Sequence, residues 1–364
     1  MRRLDRYLAA YFLACYAVTF FFFIGLFIIV DLVTNIDEFV QTARQGGWSA
    51  GKLAGLVGSY YLLFAPTIFL QVAPFMTVIA GVASVARLRK NNEVIPIIMA
   101  GQSAFRMLMP VFLLALVLAV TMVLVQERLA PRVSTWRIAT HRLLRKGEGG
   151  VSIRPAVFTD GDGRYWWMGD FQIRTNHLDA ADITWHQGKD DMSANVHVTA
   201  KGLTYDPVRR GWSIDEGVKE VQLAASDDLA PKERVAFLSG GPTPEELMAD
   251  EKTPYDLSLE EIAAFSAFHP KQFKWKVLFH HHLTFPLTNL LLLLLGIPFV
   301  LRHEDKSFFL NLAKGLIVCV LYFGTDIALR NLGAQGGLDP RAAAWIPVIF
   351  FGSLGVCLFD GIRT

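Results

Sequence analysis

From Leu53 to Ala86 the chain carries no charged side chain. About 20 apolar residues are enough for a helix to cross the roughly 30 Å hydrocarbon core of a bilayer, so this run is long enough to span a membrane and cannot sit comfortably in water. Comparable runs are Tyr11 to Val30, Met107 to Val125, Leu283 to Leu301, Phe308 to Leu329 and Ala342 to Phe359. With 52% hydrophobic residues overall, the chain is too apolar for a soluble globular protein, and the excess is concentrated in these runs. Six transmembrane helices are therefore expected. Leu53–Ala86 exceeds one straight span, and Pro66 and Pro74 are expected to kink it or to divide a surface helix from transmembrane helix two.

The first run follows Arg2, Arg3 and Arg6 and continues into Asp31, Asp37 and Glu38. A secretory signal would have a shorter apolar core ending at small residues, so this is read as a retained helix. An even number of spans puts both termini on one side. Near the short loops, Arg87, Arg89, Lys90, Arg302, Lys306 and Arg363 join the N-terminal arginines on that side, against mainly Arg44, Lys52 and Arg341 opposite. The positive-inside rule makes the termini cytoplasmic. Helix five carries Lys314 and Asp326, twelve residues and about 18 Å apart along a helix. They cannot neutralise each other, so Lys314 is expected to snorkel to the cytoplasmic surface and Asp326 to face the outer side or a cavity.

Between Pro131 and Lys276 the composition changes. A helical extension reaches about Arg145 and breaks at Gly147-Glu148-Gly149-Gly150; a β pattern follows. Asp160-Gly161-Asp162-Gly163 is a turn before a strand holding Tyr165, Trp166 and Trp167. Asn195 to Ala200 alternates, with Val196 and Val198 on one face, and Asp206-Pro207 and Asp215-Glu216-Gly217 supply further turns. Short strands punctuated by turns suggest an external sandwich or jelly roll. Ser258 to Glu261 is a capping box that opens a short return helix, and Trp275 between Lys274 and Lys276 reads as an anchor at the membrane edge. The chain thus divides into residues 1–130 with helices one to three, 131–276 with the β-domain and its helical connections, and 277–364 with helices four to six. On these grounds the fold class is a polytopic α-helical membrane protein with an inserted external all-β domain, a sandwich or jelly roll.

The basic island Arg87 to Ser103 lies between two apolar runs on the cytoplasmic side. Asn91 or Asn92 can cap a short helix there, with Glu93 in its first turn, where a negative charge suits the helix dipole. Val94, Ile95, Ile97, Ile98 and Met99 make this helix amphipathic, and Gly101 ends it. Glu93, followed by Ala100-Gly101 and Ser103, resembles the Glu…Ala-x-Gly-x-Ser cytoplasmic signature of the LptF/LptG permeases, the membrane subunits of the lipopolysaccharide-export ABC transporter. The strand pattern from Ala200 through Gly211-Trp212 to Gly217, the Thr243-Pro244-Glu245-Glu246-Leu247 stretch, and Pro286 with Gly296-Ile297-Pro298-Phe299 are similar to the same family, so the resemblance runs from end to end. Pro96 departs from it, since the family usually has alanine there.

The resemblance implies a transport subunit without catalytic residues of its own. Its partners would be a second LptF/LptG-type permease, a cytoplasmic LptB-type ATPase dimer, a periplasmic LptC-type jelly-roll protein, lipopolysaccharide and the surrounding membrane lipid, with the inner membrane as its location. The segment near 91–101 would be the coupling helix that docks on the ATPase, with Asn92, Glu93, Ile97, Gly101 and Ser103 as its contact residues. Helices one and five would form lipid gates, for which Phe20, Phe23, Phe27 and Asp326 are the candidates, the phenylalanines recurring at helical spacing. Val196 and Val198 are candidates for an apolar groove in the jelly roll. Either the LptF or the LptG role is compatible with these residues.

Other chemistries find little support. Gly46 to Leu53 nearly matches a P-loop, but Leu53 replaces the magnesium-binding Ser/Thr and no strand precedes it. The three cysteines, Cys15, Cys319 and Cys357, lie in apolar runs, which excludes a disulfide framework or a CxxC metal site. His280-His281-His282 cannot share one helix face and reads as an interfacial cluster. No metal, cofactor or nucleic acid is implied, the net charge being +2. A secondary transporter of another lipid or amphiphile is the alternative; it calls for mid-membrane ionisable groups and a repeated pair of broken helices. An intramembrane enzyme lacks any Ser/Lys, paired-Asp or HExxH constellation.

Overall fold

The computed structural model describes all residues except 1, 100, 102, 148–151, 154–157, 160–162, 174, 188–193, 224–232, 249–251, 269–271, 303–307 and 362–364. The helices in chain order are α1 (Arg2–Gln45), α2 (Ala50–Lys90), α3 (Val94–Met99), α4 (Ala104–Leu124), α5 (Ala130–Lys146), α6 (Pro244–Leu247), α7 (Leu259–Phe268), α8 (Phe273–Thr284), α9 (Leu287–Arg302), α10 (Phe308–Ala334) and α11 (Pro340–Asp360). A π-helical turn, Val125–Leu129, joins α4 to α5 without a break. Among the described residues nine strands lie between α5 and α6. The chain forms two compact units, one of residues 1–32, 65–132 and 254–364, the other of residues 33–64 and 133–253.

The first unit is helical. Among the described residues five helices of the chain are long and apolar enough to cross a membrane, and α8 with α9 makes a sixth span if that bent pair is taken as one. The chain is a multi-pass membrane protein. α2 is its central helix: Leu70, Ala73, Met76, Val82 and Leu88 are buried against Leu108, Leu292, Ile297 and Cys319. A helix that is apolar all round must be covered all round, which is why this stretch lacks charge. Small residues at Ala80, Gly81, Ala83, Ser84 and Ala86 let neighbouring backbones approach. Of the two expectations for Pro66 and Pro74, a division of the run is not seen: both lie inside one α2. α1 is different, since Val18, Phe21, Phe22, Leu26, Ile29 and Val30 are exposed along its apolar stretch.

Helix four begins earlier than the apolar run suggested. α8 starts at Phe273, and α8 and α9 meet at a 59° bend around Phe285 and Pro286. Trp275, read as an anchor at the membrane edge, packs inside the helical unit. It is buried, its ring lies 4.8 Å from that of Phe265 on α7, and its Nε1–H donates to Gln272 Oε1 at 3.0 Å. The Ser258–Glu261 capping box forms as expected, through bonds of 2.7 and 3.2 Å. The charged loop His303 to Lys306, expected on the cytoplasmic side, lies outside the described residues.

The second unit holds an antiparallel sheet: β1 (Ser152–Ile153), β2 (Phe158–Thr159), β3 (Tyr165–Met168), β4 (Phe171–Gln172), β5 (His177–Leu178), β6 (Ala181–Gln187), β7 (Ala194–Asp206), β8 (Gly211–Leu223) and β9 (Glu233–Ser239). The order is β1-β4-β5-β7-β6-β3-β2, with β8 on the other side of β7 and β9 beyond it. β7 organises the sheet. One half of it pairs with β6, the other with β5, and its full length pairs with β8. β2 pairs with β3 as the turn reading required, although residues 160–162 of that turn lie outside the described part, as do residues 148–150 of the glycine break. Asp215-Glu216-Gly217 is not a turn: β8 runs through it as a bulge between Ser213 and Gly217, with Glu216 at φ 53°. The period-2 pattern buries Trp166, Ile183, Val196, Val198, Trp212 and Ile214 in one core. In the same unit the outer turns of α1 and α5 are joined by the Glu38–Arg145 ion pair and by Thr42 Oγ1 donating to the Arg145 carbonyl at 2.9 Å.

Candidate functional site

The basic end of α2 turns into α3 through a left-handed residue. Asn92 has φ 56°, its N–H donates to the Arg89 carbonyl at 3.0 Å, and the Glu93 N–H reaches back to the Leu88 carbonyl at 2.9 Å. This bond pair is a Schellman motif, in which asparagine tolerates the left-handed position. Asn92 therefore closes α2 and does not cap α3. Glu93 stands just before Val94 and outside the first turn; its Oε1 accepts from Asn91 Nδ2 at 3.1 Å. Pro96 is the third residue of α3, where its missing N–H is one of the donors a helix start leaves unbonded. Gly101 follows α3 at φ 76°, and Ser103 caps α4, its Oγ accepting from the Arg106 N–H at 3.3 Å.

These local rules divide α3 into two faces. Val94 and Ile97 pack against the helical core. Asn92, Pro96 and Met99 are exposed, Met99 at 83%, and Glu93 is half-buried. The outward surface is thus a carboxylate beside a small apolar patch on a six-residue helix. Ala100 lies outside the described residues.

The family model described as lipopolysaccharide export system permease LptF/LptG matches residues 6–360. The chain belongs to the LptF/LptG permease family. No curated protein matches it. In this LptF/LptG chain the family's transport role makes it a subunit of an export permease, not a catalytic enzyme.

The remaining expected residues fall into three places. Phe20 and Phe23 are half-buried against the helical core, Phe20 meeting Phe69 edge-on at 6.3 Å, and Phe27 is half-buried. The fully open side of α1 is instead Phe21, Phe22, Leu26 and Ile29. Val196 and Val198 point into the closed β-core at 1% and 0% exposure. A groove of about 590 Å³ at the β8 bulge is lined by Lys201, Ile214, Glu216, Gly217, Val218 and Arg234, not by those valines. The P-loop-like stretch is an ordinary helix connection: Gly47 has φ 61° and Lys52 sits 4.9 Å from the Trp48 ring.

Asp326, expected at the outer side or in a cavity, is enclosed. It is 3% exposed, with Arg330 Nε 2.9 Å and His281 Nε2 3.4 Å from its Oδ2. The Arg330 N–H is not aligned on the carboxylate, so this contact is an ion pair by distance and not a hydrogen bond. The neighbouring His282 is also buried, and its Nε2 meets Glu127 Oε1. Its Nδ1 lies 2.8 Å from Gln126 Nε2. Nearby, Thr77 and Asn289 are 3.3 Å apart, and Thr288 and Tyr322 are 3.2 Å apart. Two buried histidines in place of an interfacial cluster were missed in the sequence because their partners lie some 45 and 155 positions away. The sign that pointed to them was Gln126-Glu127 immediately after an apolar run, where a span ends without a loop. Among the described residues no group of three or more His, Cys, Asp or Glu can hold a metal.

Proposed function

We propose that this chain is one permease half of an ABC transporter that extracts lipopolysaccharide from the inner membrane and passes it to a periplasmic bridge. The observation that carries the reading is the family match over residues 6–360, which spans both helical blocks and the β-domain between them. The excess of Lys and Arg at Arg2, Arg3, Arg6, Arg87, Arg89 and Lys90 supports cytoplasmic termini and a periplasmic β-domain.

In this reading a second LptF/LptG-type permease faces the chain and an LptB-type ATPase dimer docks below on α3. Glu93, with Asn92, Pro96 and Met99 around it, receives the ATP-driven movement, while Ile97, Gly101 and Ser103 fix the helix that carries it. The open apolar side of α1 meets lipid or the partner's helix five, and narrowing of the space between the permeases expels the lipid outward. The β-domain hands the acyl chains to an LptC-type jelly roll. A groove lined by Val196 and Val198 requires the β-core to open in the assembled complex.

Secondary transport is the weaker reading. Asp326 lies beside Arg330 and His281 and so does not stand as a lone buried charge for a coupling ion. The test is co-purification of the full chain from its native membrane, followed by reconstitution. ATP-dependent lipopolysaccharide release with a co-purified ATPase supports export. Release driven by an ion gradient in the absence of ATP contradicts it.

A further inference from the structure

Residues Pro254 to Ser258 follow the β-domain in the chain and lie in the helical unit. Three contacts hold this strap to the helices around the bend of helix four. Asp256 is fully buried and accepts from Thr67 Oγ1 at 2.8 Å. The Tyr255 ring lies 5.1 Å from that of Phe285, one of the two residues at the bend. The N–H of Leu259, the first residue of α7, donates to Glu127 Oε2 at 3.1 Å.

Glu127 uses its second oxygen on the other side of the bend, where Oε1 accepts from His282 Nε2. An amide nitrogen only donates, so the 2.8 Å contact from Gln126 Nε2 makes His282 Nδ1 an acceptor and leaves the ring proton on Nε2, facing the carboxylate. Successive side chains of a regular α-helix diverge and do not converge on one ring. Gln126 and Glu127 converge here because they sit in the π-turn Val125–Leu129, whose wider winding re-aims them. The adjacent His281 meets Asp326 on α10. One carboxylate therefore bonds both the strap and helix four, and the next histidine along carries the link to helix five.

We propose that Glu127 is a positioning residue of the export cycle, tying the strap behind the β-domain to the bend of helix four. This rests on the export reading above. A reorientation of helices four and five during ATP-driven closure then moves residues 254–259 with it, and the return connection of the β-domain follows the membrane helices. Thr67–Asp256 and Tyr255–Phe285 keep the strap seated while Glu127 sets its register.

Two variants isolate the link. Leu259→Pro removes the N–H that reaches Glu127 while keeping the helix start, because proline is well accommodated at the first position of a helix, and Leu259→Ala controls for the lost side chain. Glu127→Gln keeps the shape but replaces one acceptor with a donor. In the full chain, assembled with its co-purifying partners in lipid nanodiscs, amide exchange is measured at residues 260–262 and 282–288. Both variants are expected to raise exchange in both segments together, on the order of tenfold, as the loss of a bond to a charged group implies. In proteoliposomes both are expected to lower the lipopolysaccharide released per ATP hydrolysed while hydrolysis continues. Faster exchange confined to the 260–262 segment in Leu259→Pro, or unchanged lipid per ATP in both variants, overturns the proposal. A parent complex that releases no lipopolysaccharide contradicts the export reading itself, whereas the exchange measurement still decides whether strap and bend are linked.

Discussion

Gly81 on α2 faces Leu293 on α9 so closely that a Cβ built on the glycine would sit 2.1 Å from Leu293 Cδ1. The two helices pack through this absence of a side chain. Gly81→Val is expected to destabilise the helical unit by about 1–3 kcal/mol, the usual penalty for overpacking. Leu293→Ala in the same chain should recover part of the loss. Thermal unfolding in detergent checks this, and additive losses in the double variant would rule out the close approach as the cause.

In the β-domain the equivalent contact is Gly241 against Trp166. Gly241 has φ 88°, and a Cβ there would lie 2.3 Å from Trp166 Cζ2. Gly241→Ala combines left-handed strain with a clash against a fully buried ring and is expected to cost on the order of 2–4 kcal/mol. Faster amide exchange across β3 and β8, with the helical spans unaffected, is the expected readout.

Lys201 and Glu216 form an exposed pair at the β8 bulge, 2.8 Å apart. The hydrogen bond from Lys201 holds the Glu216 carboxyl below its ordinary range, and the same bond raises the Lys201 ammonium. The depressed carboxyl contributes stability that is present above its unfolded value of about 4.3 and is lost as pH falls through the folded one; the raised ammonium contributes stability present below about 10.4 and lost above its folded value. Glu216→Gln should therefore weaken β7–β8 protection slightly between about pH 5 and pH 10 and have no effect near pH 2. Full exposure to solvent makes the effect small and salt-sensitive. A Glu216→Gln effect that persists at acid pH would assign it to the bulge backbone instead.

Much of this architecture was legible because periodicity reports directly on burial. The alternation from Asn195 to Ala200 put Val196 and Val198 on one face of β7, which proves to be the core face, and the uncharged Leu53–Ala86 run located a membrane helix, α2. The errors have physical causes. Pro66 and Pro74 were expected to kink the long run or to divide it; it is not divided, and the half of α2 that follows Pro66 is packed into the helical core. Asn92 looked like a helix start because asparagine favours both an N-cap and a left-handed C-terminal position, and only the Glu93-to-Leu88 bond separates the two. The pairing of His282 with Glu127 depends on tertiary contact across 155 positions, which no local pattern encodes.

Orientation is tested with single cysteines in a chain lacking Cys15, Cys319 and Cys357. Val208 is 90% exposed at the turn joining β7 to β8, and Asn91 is exposed at the end of α2. An impermeant thiol reagent applied from the periplasmic side should label Val208→Cys and spare Asn91→Cys. The reverse pattern would invert the topology.

The most direct test of the account is charge reversal at Glu93, the carboxylate beside the exposed face of α3. A charge pair that is desolvated on docking and then broken on one side costs about 3 kcal/mol, on the order of a hundredfold in affinity. Glu93→Arg is therefore expected to insert normally, lose most of its co-purifying ATPase and release little lipopolysaccharide from vesicles holding both permeases. A compensating reversal in the ATPase groove should restore part of that release, and Pro96→Ala should behave much as the parent. Undiminished ATPase association and lipid release by Glu93→Arg would contradict the coupling role of this segment.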